Sequence, residues 1–330
     1  MSNQRAGAGW SRRQVLGALG AAILGAPGLA RAQSDRPVKF ILPVGVGSGV
    51  DTITRAAGPA LSVALGHTVV VENQPGAGGI VGTSALVRSA PDGYTLSMLS
   101  NNHVIFPSVY KNLPFDPLAD ITPISMVGMT PFLLVANPQK IPANDIKALT
   151  ALLKSQPGRY NYASSGNGTI LHLAAEMYVQ QAGVKARHIP YKGVGPMMAD
   201  LMGGQVDFGV LSLPSVLPQI KSGALKPLGA CGAERMAALP DLPTLREQGL
   251  ADYEIGGWFA AAGPAKLPQA DVRRIYDALD RAFNSPEVKQ AMATQNNRIV
   301  LMPPDQTVAY FRSEMAKYAS VVKGAGLELM

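Results

Sequence analysis

Lys39-Phe40-Ile41-Leu42-Pro43-Val44-Gly45-Val46-Gly47-Ser48-Gly49-Val50-Asp51 holds the first decision about the fold. Lys39 to Pro43 reads as a strand, and the glycines after it as a loop that opens a helix. That helix is predicted from about Asp51 to Leu65, stopped by Gly66. Thr68 to Glu72 is the next strand, Asn73 to Gly79 a turn, and a further helix runs from about Ile80 to Ser89. Pro91-Asp92-Gly93 then turns the chain into a strand from Tyr94 to Leu99. A strand–helix–strand–helix–strand order implies a parallel sheet with helices on its faces.

The middle of the chain repeats this style. Asp145 to Ser155 is amphipathic through Ile146, Leu149, Leu152 and Leu153. Tyr160 to Ala163 is a strand, and Ser164-Ser165-Gly166-Asn167-Gly168-Thr169 follows it. The next helix buries Ile170, Leu173, Ala174, Met177 and Tyr178 and ends at Gly183. Ala186–Ile189, Val206–Leu211 and Lys226–Ala230 read as strands. The last part is read as mainly helical, with Val272, Ile275, Tyr276 and Leu279 on one face and Val308, Phe311 and Met315 on another. Three early strands lack the helices to cover them, and the terminal helices are expected to fold back and do so. The first domain is therefore placed at 33–135 plus 255–330 and the second at 136–254, with a ligand between them.

Composition narrows the function. Of 330 residues, 15% are charged and 47% apolar, which excludes a disordered polymer; the single cysteine, Cys231, excludes an internal disulfide and reads as a small buried residue. The net charge of +7 is concentrated at the start: Arg5, Arg12, Arg13 and Arg31 lie in the first 32 residues, and what remains is 25 Lys and Arg against 22 Asp and Glu. Basic runs with interleaved aromatics are missing, so nucleic acid is not an expected partner.

Residues 1–32 read as an export signal. Ser11-Arg12-Arg13 precedes an apolar stretch from Val15 to Ala26, and Ala30-Arg31-Ala32 supplies a small-x-small cleavage site before Gln33. The arginine pair and Arg31 resemble a twin-arginine signal. A membrane anchor is the alternative, disfavoured because about 18 apolar residues are normally needed to span a bilayer. The mature protein is expected in a periplasm.

Two loops share one physical design, Gly45–Asp51 and Ser164–Thr169. Each follows a strand, opens a helix and is rich in glycine and hydroxyls. Glycine lets the main chain approach a ligand, and the helix start offers unpaired N–H groups with partial positive charge, a setting for an anion such as a carboxylate. The plainer reading is a strand-to-helix turn in which Asp51 or Ser165 caps a helix. Tyr191-Lys192-Gly193 follows another strand, where the lysine could attract an anion or stay solvated. His103 follows a strand and Asn101-Asn102, so it faces either a cleft or a surface loop; His188 packs beside a strand end. Asp207 would repel an anion, so it either anchors neighbouring N–H groups or meets a cationic part of the ligand. Enzyme signatures are missing: neither loop is G-x-S-x-G, G-x-G-x-x-G or a P-loop, and the four histidines lack metal-ligand spacing. No cofactor or metal is expected.

Read in order, the motifs resemble the Bug, or tripartite tricarboxylate transporter receptor (TctC-like), family of periplasmic solute-binding proteins. The resemblance rests on Val71-Glu72-Asn73-Gln74-Pro75-Gly76-Ala77-Gly78-Gly79, Ala90-Pro91-Asp92-Gly93-Tyr94-Thr95-Leu96 and Leu113-Pro114-Phe115-Asp116-Pro117. It continues through Asn161 to Thr169 with His172-Leu173-Ala174-Ala175-Glu176, His188 to Gly193, Asp200 to Asp207 and Leu239 to Thr244.

The resemblance implies an α/β, two-domain Venus-flytrap binding protein of the type II periplasmic class, each domain a mainly parallel sheet flanked by helices. It implies binding of a small organic carboxylate: a dicarboxylate or tricarboxylate, an aromatic acid or an acidic amino acid. It also implies integral membrane transporter subunits as partners, and the receptor itself is expected to be a monomer. Carried over by motif, contacts from the first domain are Val44, Gly47, Ser48, Gly49, Asp51, Ser100, Asn101 and His103. Those from the second are Ser164, Ser165, Asn167, Gly168, Thr169, Tyr191, Lys192, Gly193 and Asp207. Val44 stands where the family often has an aromatic residue and Val50 where it has threonine, so ligand identity does not carry over. Two other roles stay open: reporting a ligand to a sensor domain, and a secreted hydrolase using Ser48, Ser164 or Ser165, which needs a histidine base and an orienting acid.

Overall fold

A computed structural model describes residues 36–324. The export signal at 1–32, with its cleavage site at Ala32, lies outside the described residues.

The chain begins with β1 (Val38–Leu42), α1 (Gly49–Leu65) and β2 (Val69–Asn73). A 3₁₀ turn at Ala77–Gly79 leads into α2 (Ile80–Val87), β3 (Thr95–Ser100) and α3 (Asn102–Val109). Two strands then follow almost without a break, β4 (Ile121–Thr130) and β5 (Phe132–Ala136). After these come α4 (Ile146–Ser155), β6 (Asn161–Ser164), α5 (Ile170–Gln181), β7 (Arg187–Pro190) and α6 (Val194–Met202). The next elements are β8 (Phe208–Ser212), α7 (Leu213–Lys221), β9 (Lys226–Ala230) and β10 (Gly257–Pro264). The described chain ends with α8 (Gln269–Phe283), α9 (Pro286–Thr294), β11 (Arg298–Met302) and α10 (Pro304–Gly324).

The strands form two sheets, ordered β11-β4-β10-β3-β1-β2 and β7-β6-β8-β5-β9. In the first, β1 is parallel to β2 and β3, whereas β10 is antiparallel to β3 and β4, and β11 to β4. In the second, β6 is parallel to β7 and β8, and β5 is antiparallel to β8 and β9. Both sheets are therefore mixed, where mainly parallel sheets were expected. The physical reason is the connection between them. β5 and β10 carry the chain from one sheet to the other, so each enters its sheet against the direction of the βαβ strands. The passage falls at Pro131, between Thr130 of β4 and Phe132 of β5, not at residue 135, which lies within β5. β11 interrupts a tail read as helical.

α1 shows how the sequence starts a helix. Ser48 is extended, and its Oγ accepts from the Asp51 amide at 3.2 Å. Asp51 Oδ2 in turn accepts from the Gly47 amide at 2.9 Å. Gly66 ends the helix in the left-handed conformation, φ 70°. One face of the first sheet is covered by α1 and α8, with Phe40, Ile53, Leu61, Ile275, Leu279 and Phe283 in one buried cluster. Its other face is covered by α3 and α10, through Val104, Ile105, Phe311 and Tyr318. Truncating a residue such as Ile275 to Ala would cost about 2–5 kcal/mol. The second sheet buries Leu133, Val135, Phe208 and Val210 beneath α4, α5 and α6. This packing fixes the carboxyl ends of β1, β3, β6, β7 and β8, and the loops leaving them face one another.

Candidate ligand-binding cleft

Those loops enclose a cavity of about 660 Å³ lined from both lobes. Six helices present their N-cap residues to it: Ser48 of α1, Gly79 of α2, Asn101 of α3, Thr169 of α5, Gly193 of α6 and Ser212 of α7. Each helix start carries roughly half a positive charge and up to four amides without helical acceptors. The amides of Gly49, Val50 and Leu171 have no acceptor among the described residues. Of the described lining residues, only Lys192 is charged at neutral pH; Asp, Glu, Arg and His are missing from the wall.

The inner end lies beside the passage between the sheets. Thr130, Phe132, Ser212 and Gly257 line it. A methyl built on Gly49 would sit 2.9 Å from Ser212 Oγ and 3.7 Å from Thr130 Oγ1, so hydroxyls from both lobes converge there. Thr130 Oγ1 is enclosed by protein and has no hydrogen-bond partner among the described residues, while Ser212 Oγ pairs with Ser215 Oγ at 2.7 Å. The outer rim is formed by Pro75, Gly76, Ala77, Asn167, Pro190 and Lys192, all exposed.

The lobes touch across this cavity. Asn102 Oδ1 accepts from the Ile170 amide of the other lobe at 2.8 Å, while Asn102 Nδ2 donates within its own lobe to the Gly78 carbonyl at 3.0 Å. Tyr110 Oη donates to the Asn167 carbonyl at 3.2 Å. Burial raises the Tyr110 phenol above its ordinary range. Trp258 lines the wall while its indole N–H donates to Glu314 Oε2 at 2.8 Å.

Of the site residues expected from the sequence, Val44, Ser48, Gly49, Ser100, Asn101, Ser165, Asn167, Thr169, Tyr191, Lys192 and Gly193 line the cavity. Six do not. Asp51 is turned into its own lobe, where Oδ1 accepts from Arg55 Nε at 2.8 Å and Asn73 Nδ2 at 2.9 Å. It holds the Gly45–Gly49 loop in shape, because Asn73 also donates to the Val44 carbonyl at 3.1 Å. Gly47, at φ 79°, is exposed outside the cavity and spends its amide on Asp51. His103 sits on the far side of α3, donating from Nε2 to the Pro117 carbonyl at 2.6 Å and stacked on Phe115. Burial lowers its pKa to about 4.

In the second lobe, Gly168 donates its amide to His172 Nδ1 at 3.2 Å. Ser164 is fully buried, 2.6 Å from His188 Nε2. His188 stacks on His172 with ring centroids 3.9 Å apart. Burial lowers their pKa values to about 4 and about 3, and for His172 the neighbouring imidazole adds to the effect. The Ser164–His188 pair thus braces the loop from behind and does not open on the cavity, which weighs against the hydrolase alternative. Asp207 lies at the opposite end of the sheet, where Oδ2 accepts from the Asn161 amide at 2.6 Å. Strand starts and strand ends face opposite ways, so the start of β8 cannot reach a site at its end.

Sequence reasoning missed Asn102, Tyr110, Thr130, Phe132 and Ser212, and treated Pro75–Gly79 only as a turn. A signal was available for the last. Gly76, Gly78 and Gly79 have positive φ, and the segment follows a strand and opens a helix, the design already recognised in two other loops. Tyr191 lines the cavity, but its hydroxyl is engaged by Asp200 Oδ2 at 2.7 Å; burial, then this acceptor, pushes its pKa up to about 12.

Residues 53–327 match the family model described as the tripartite tricarboxylate transporter family receptor. The chain is 34% identical over 308 residues to protein BugT of Bordetella pertussis, covering 93% of this chain and 94% of that one. Its fold superposes on the solved periplasmic binding protein BugD with a TM-score of 0.86 at 32% identity, over 89% of this chain and 99% of that one. MatC from Rhodopseudomonas palustris, solved with bound malate, gives a TM-score of 0.81 at 26% identity, over 87% and 99%. A two-lobed α/β fold, a cleft faced by helix starts and these likenesses agree: the chain belongs to the tripartite tricarboxylate transporter receptor, or Bug, family of periplasmic solute-binding proteins.

Proposed function

We propose that this receptor captures a small organic carboxylate between its lobes and presents the closed form to integral membrane transporter subunits. The convergence of six helix N-caps on one cavity carries the reading. A carboxylate placed there accepts from main-chain amides that lack other acceptors, in a field of favourable sign. Bound malate in MatC is in keeping with that chemistry. Closure follows because an anion gripped by both lobes favours the state in which both grips are made. Among the described residues the lining holds no histidine or carboxylate.

Isothermal titration of the mature chain against mono-, di- and tricarboxylates tests the reading. Saturable 1:1 binding of at least one class is expected. Silence across the panel, with the protein folded and shown free of co-purified ligand, overturns it.

A further inference from the structure

Behind the cavity wall lies a connected set of buried polar groups on α10. This helix presents Phe311, Glu314 and Tyr318 at helical spacing, all three buried and none of them lining the cavity. Glu314 Oε2 accepts from the Trp258 indole N–H at 2.8 Å, and Glu314 Oε1 accepts from the exposed Lys317 ammonium at 3.4 Å. Tyr318 Oη accepts from Asn101 Nδ2 at 2.6 Å. Asn101 Nδ2 also donates to the Gly256 carbonyl at 3.2 Å, and Asn101 Oδ1 accepts from the Trp258 amide at 2.8 Å. Burial, then the neighbouring Glu314 carboxylate, raises the Tyr318 phenol well above its ordinary range, so the hydroxyl stays neutral. Trp258 and Asn101 do line the cavity, and each has a polar side-chain atom tied to α10.

We infer that Glu314 and Tyr318 are positioning residues of the receptor, fixing the orientation of Trp258 and Asn101 in the cavity wall from outside the cavity. The inference rests on the receptor reading and extends it to α10. Stability alone does not account for a carboxylate at this place. Glu314 is 6% exposed, and burying its charge carries a desolvation cost that a leucine of similar volume would avoid. What Glu314 supplies, and leucine lacks, is an acceptor. An indole has one donor. With that donor held by Glu314, and with Phe311 at 5.1 Å and Tyr310 edge-on at 5.9 Å between ring centroids, the ring is fixed in one orientation. Without the acceptor a buried N–H is left unpaired, and the ring is driven to turn toward the cavity for a partner. Asn101 obeys the same logic through Tyr318.

Glu314→Leu, Glu314→Gln and Tyr318→Phe test this in a chain beginning at Gln33, which holds Trp258 as its single tryptophan, with thermal melting to confirm that each variant folds. Acrylamide quenching of the ligand-free protein reads the indole directly. E314L should raise the quenching constant, and E314Q, which keeps an acceptor and loses the charge, should restore the wild-type value. Titration with malate, adipate and benzoate reads binding. For whichever acid the wild type binds, E314L and Y318F should each weaken affinity by about three- to tenfold, with E314Q within about twofold of the wild type. The assignment is overturned if E314L leaves either quenching or affinity unchanged. It is equally overturned if E314Q loses as much as E314L, because the carboxylate would then act by charge and not by holding the indole. Should E314L fail to fold, unchanged affinity in Y318F overturns it. Silence of the wild type toward a wider panel of acids removes the receptor reading, while the quenching comparison still decides whether Glu314 holds the ring.

Discussion

Asn102 and Ile170 belong to different lobes and are joined by a 2.8 Å hydrogen bond from the Ile170 amide to Asn102 Oδ1. Both residues are buried and both line the cleft, so under the proposed closure the lobes meet through a protein–protein bond in the cleft wall. Asn102→Ala leaves the Ile170 amide without its acceptor in the closed form, whereas opening returns it to water. Affinity for the ligand should fall by about tenfold, and the ligand-free radius of gyration from small-angle scattering should rise. Unchanged values of both would show that the bond does not govern closure.

Three histidines, His103 and His172 buried and His188 half-buried, set an acid limit on stability. His103, His172 and His188 have pKa values near 4, 3 and 4 in the fold, against about 6.5 in an unfolded chain. Between those values the unfolded chain binds more protons, so stability rises with pH. Their contribution is complete above about pH 6.5 and is lost as pH falls toward the folded values, with a slope of up to about 1.4 kcal/mol per pH unit for each. Calorimetric Tm should drop between pH 6.5 and 5, above the range where carboxylates titrate. Replacing His172 by Asn and His188 by Gln should flatten the profile; a level wild-type profile would count against the assignment.

Gly82 is a packing requirement of the third cleft loop. A methyl there would lie 2.7 Å from the Gln74 carbonyl oxygen and 2.8 Å from Pro43 Cα, both main-chain atoms. Gly82→Ala should therefore destabilise by about 1–3 kcal/mol, seen as a lower urea midpoint with an unchanged slope. A wild-type midpoint would mean that the loop yields without strain.

Trp258 should report on the cleft. The sequence holds two tryptophans, and Trp10 lies in the segment expected to be removed on export. In a chain beginning at Gln33, ligand addition should shift or quench the remaining emission, and Trp258→Phe should abolish the signal. Calorimetric binding without any optical change would place the ligand away from this wall.

Much of the fold was legible because short-range physics wrote it. Gly66 stops α1 as read, and the apolar spacing of α4 and α8 matches the faces that are buried, but the caps fall on neighbours of the residues named for them: Ser48, not Asp51, caps α1, and Thr169, not Ser165, caps α5. β4, β5 and β10 were not read as strands at all, and so neither was the direction of β5 and β10. Phe132–Ala136 and Gly257–Pro264 are buried throughout, so neither alternates in a way that betrays its neighbours. Loops that bring main chain to the cavity were found from glycine and hydroxyl content. Individual side chains fared worse: Asp51, His103 and Asp207 are near the site in sequence, but helix phase and strand end turn them elsewhere. Thr130 and Ser212 acquire meaning only when two lobes meet, which no local pattern encodes.

The position of β10 shapes the order of assembly. β3 and β4 are not neighbours; each pairs with β10, which lies between them. The second sheet, by contrast, is drawn from one unbroken stretch, Phe132 to Ala230. A chain emerging from its N-terminus can complete that sheet while the first consists only of β2-β1-β3 and an unpaired β4, since β10 and β11 both come later. The late arrival of Gly257–Pro264 is a long-range closure of the kind that slows folding and exposes strand edges to aggregation. A chaperone acting on this protein therefore has its task in the interval before one strand slots home.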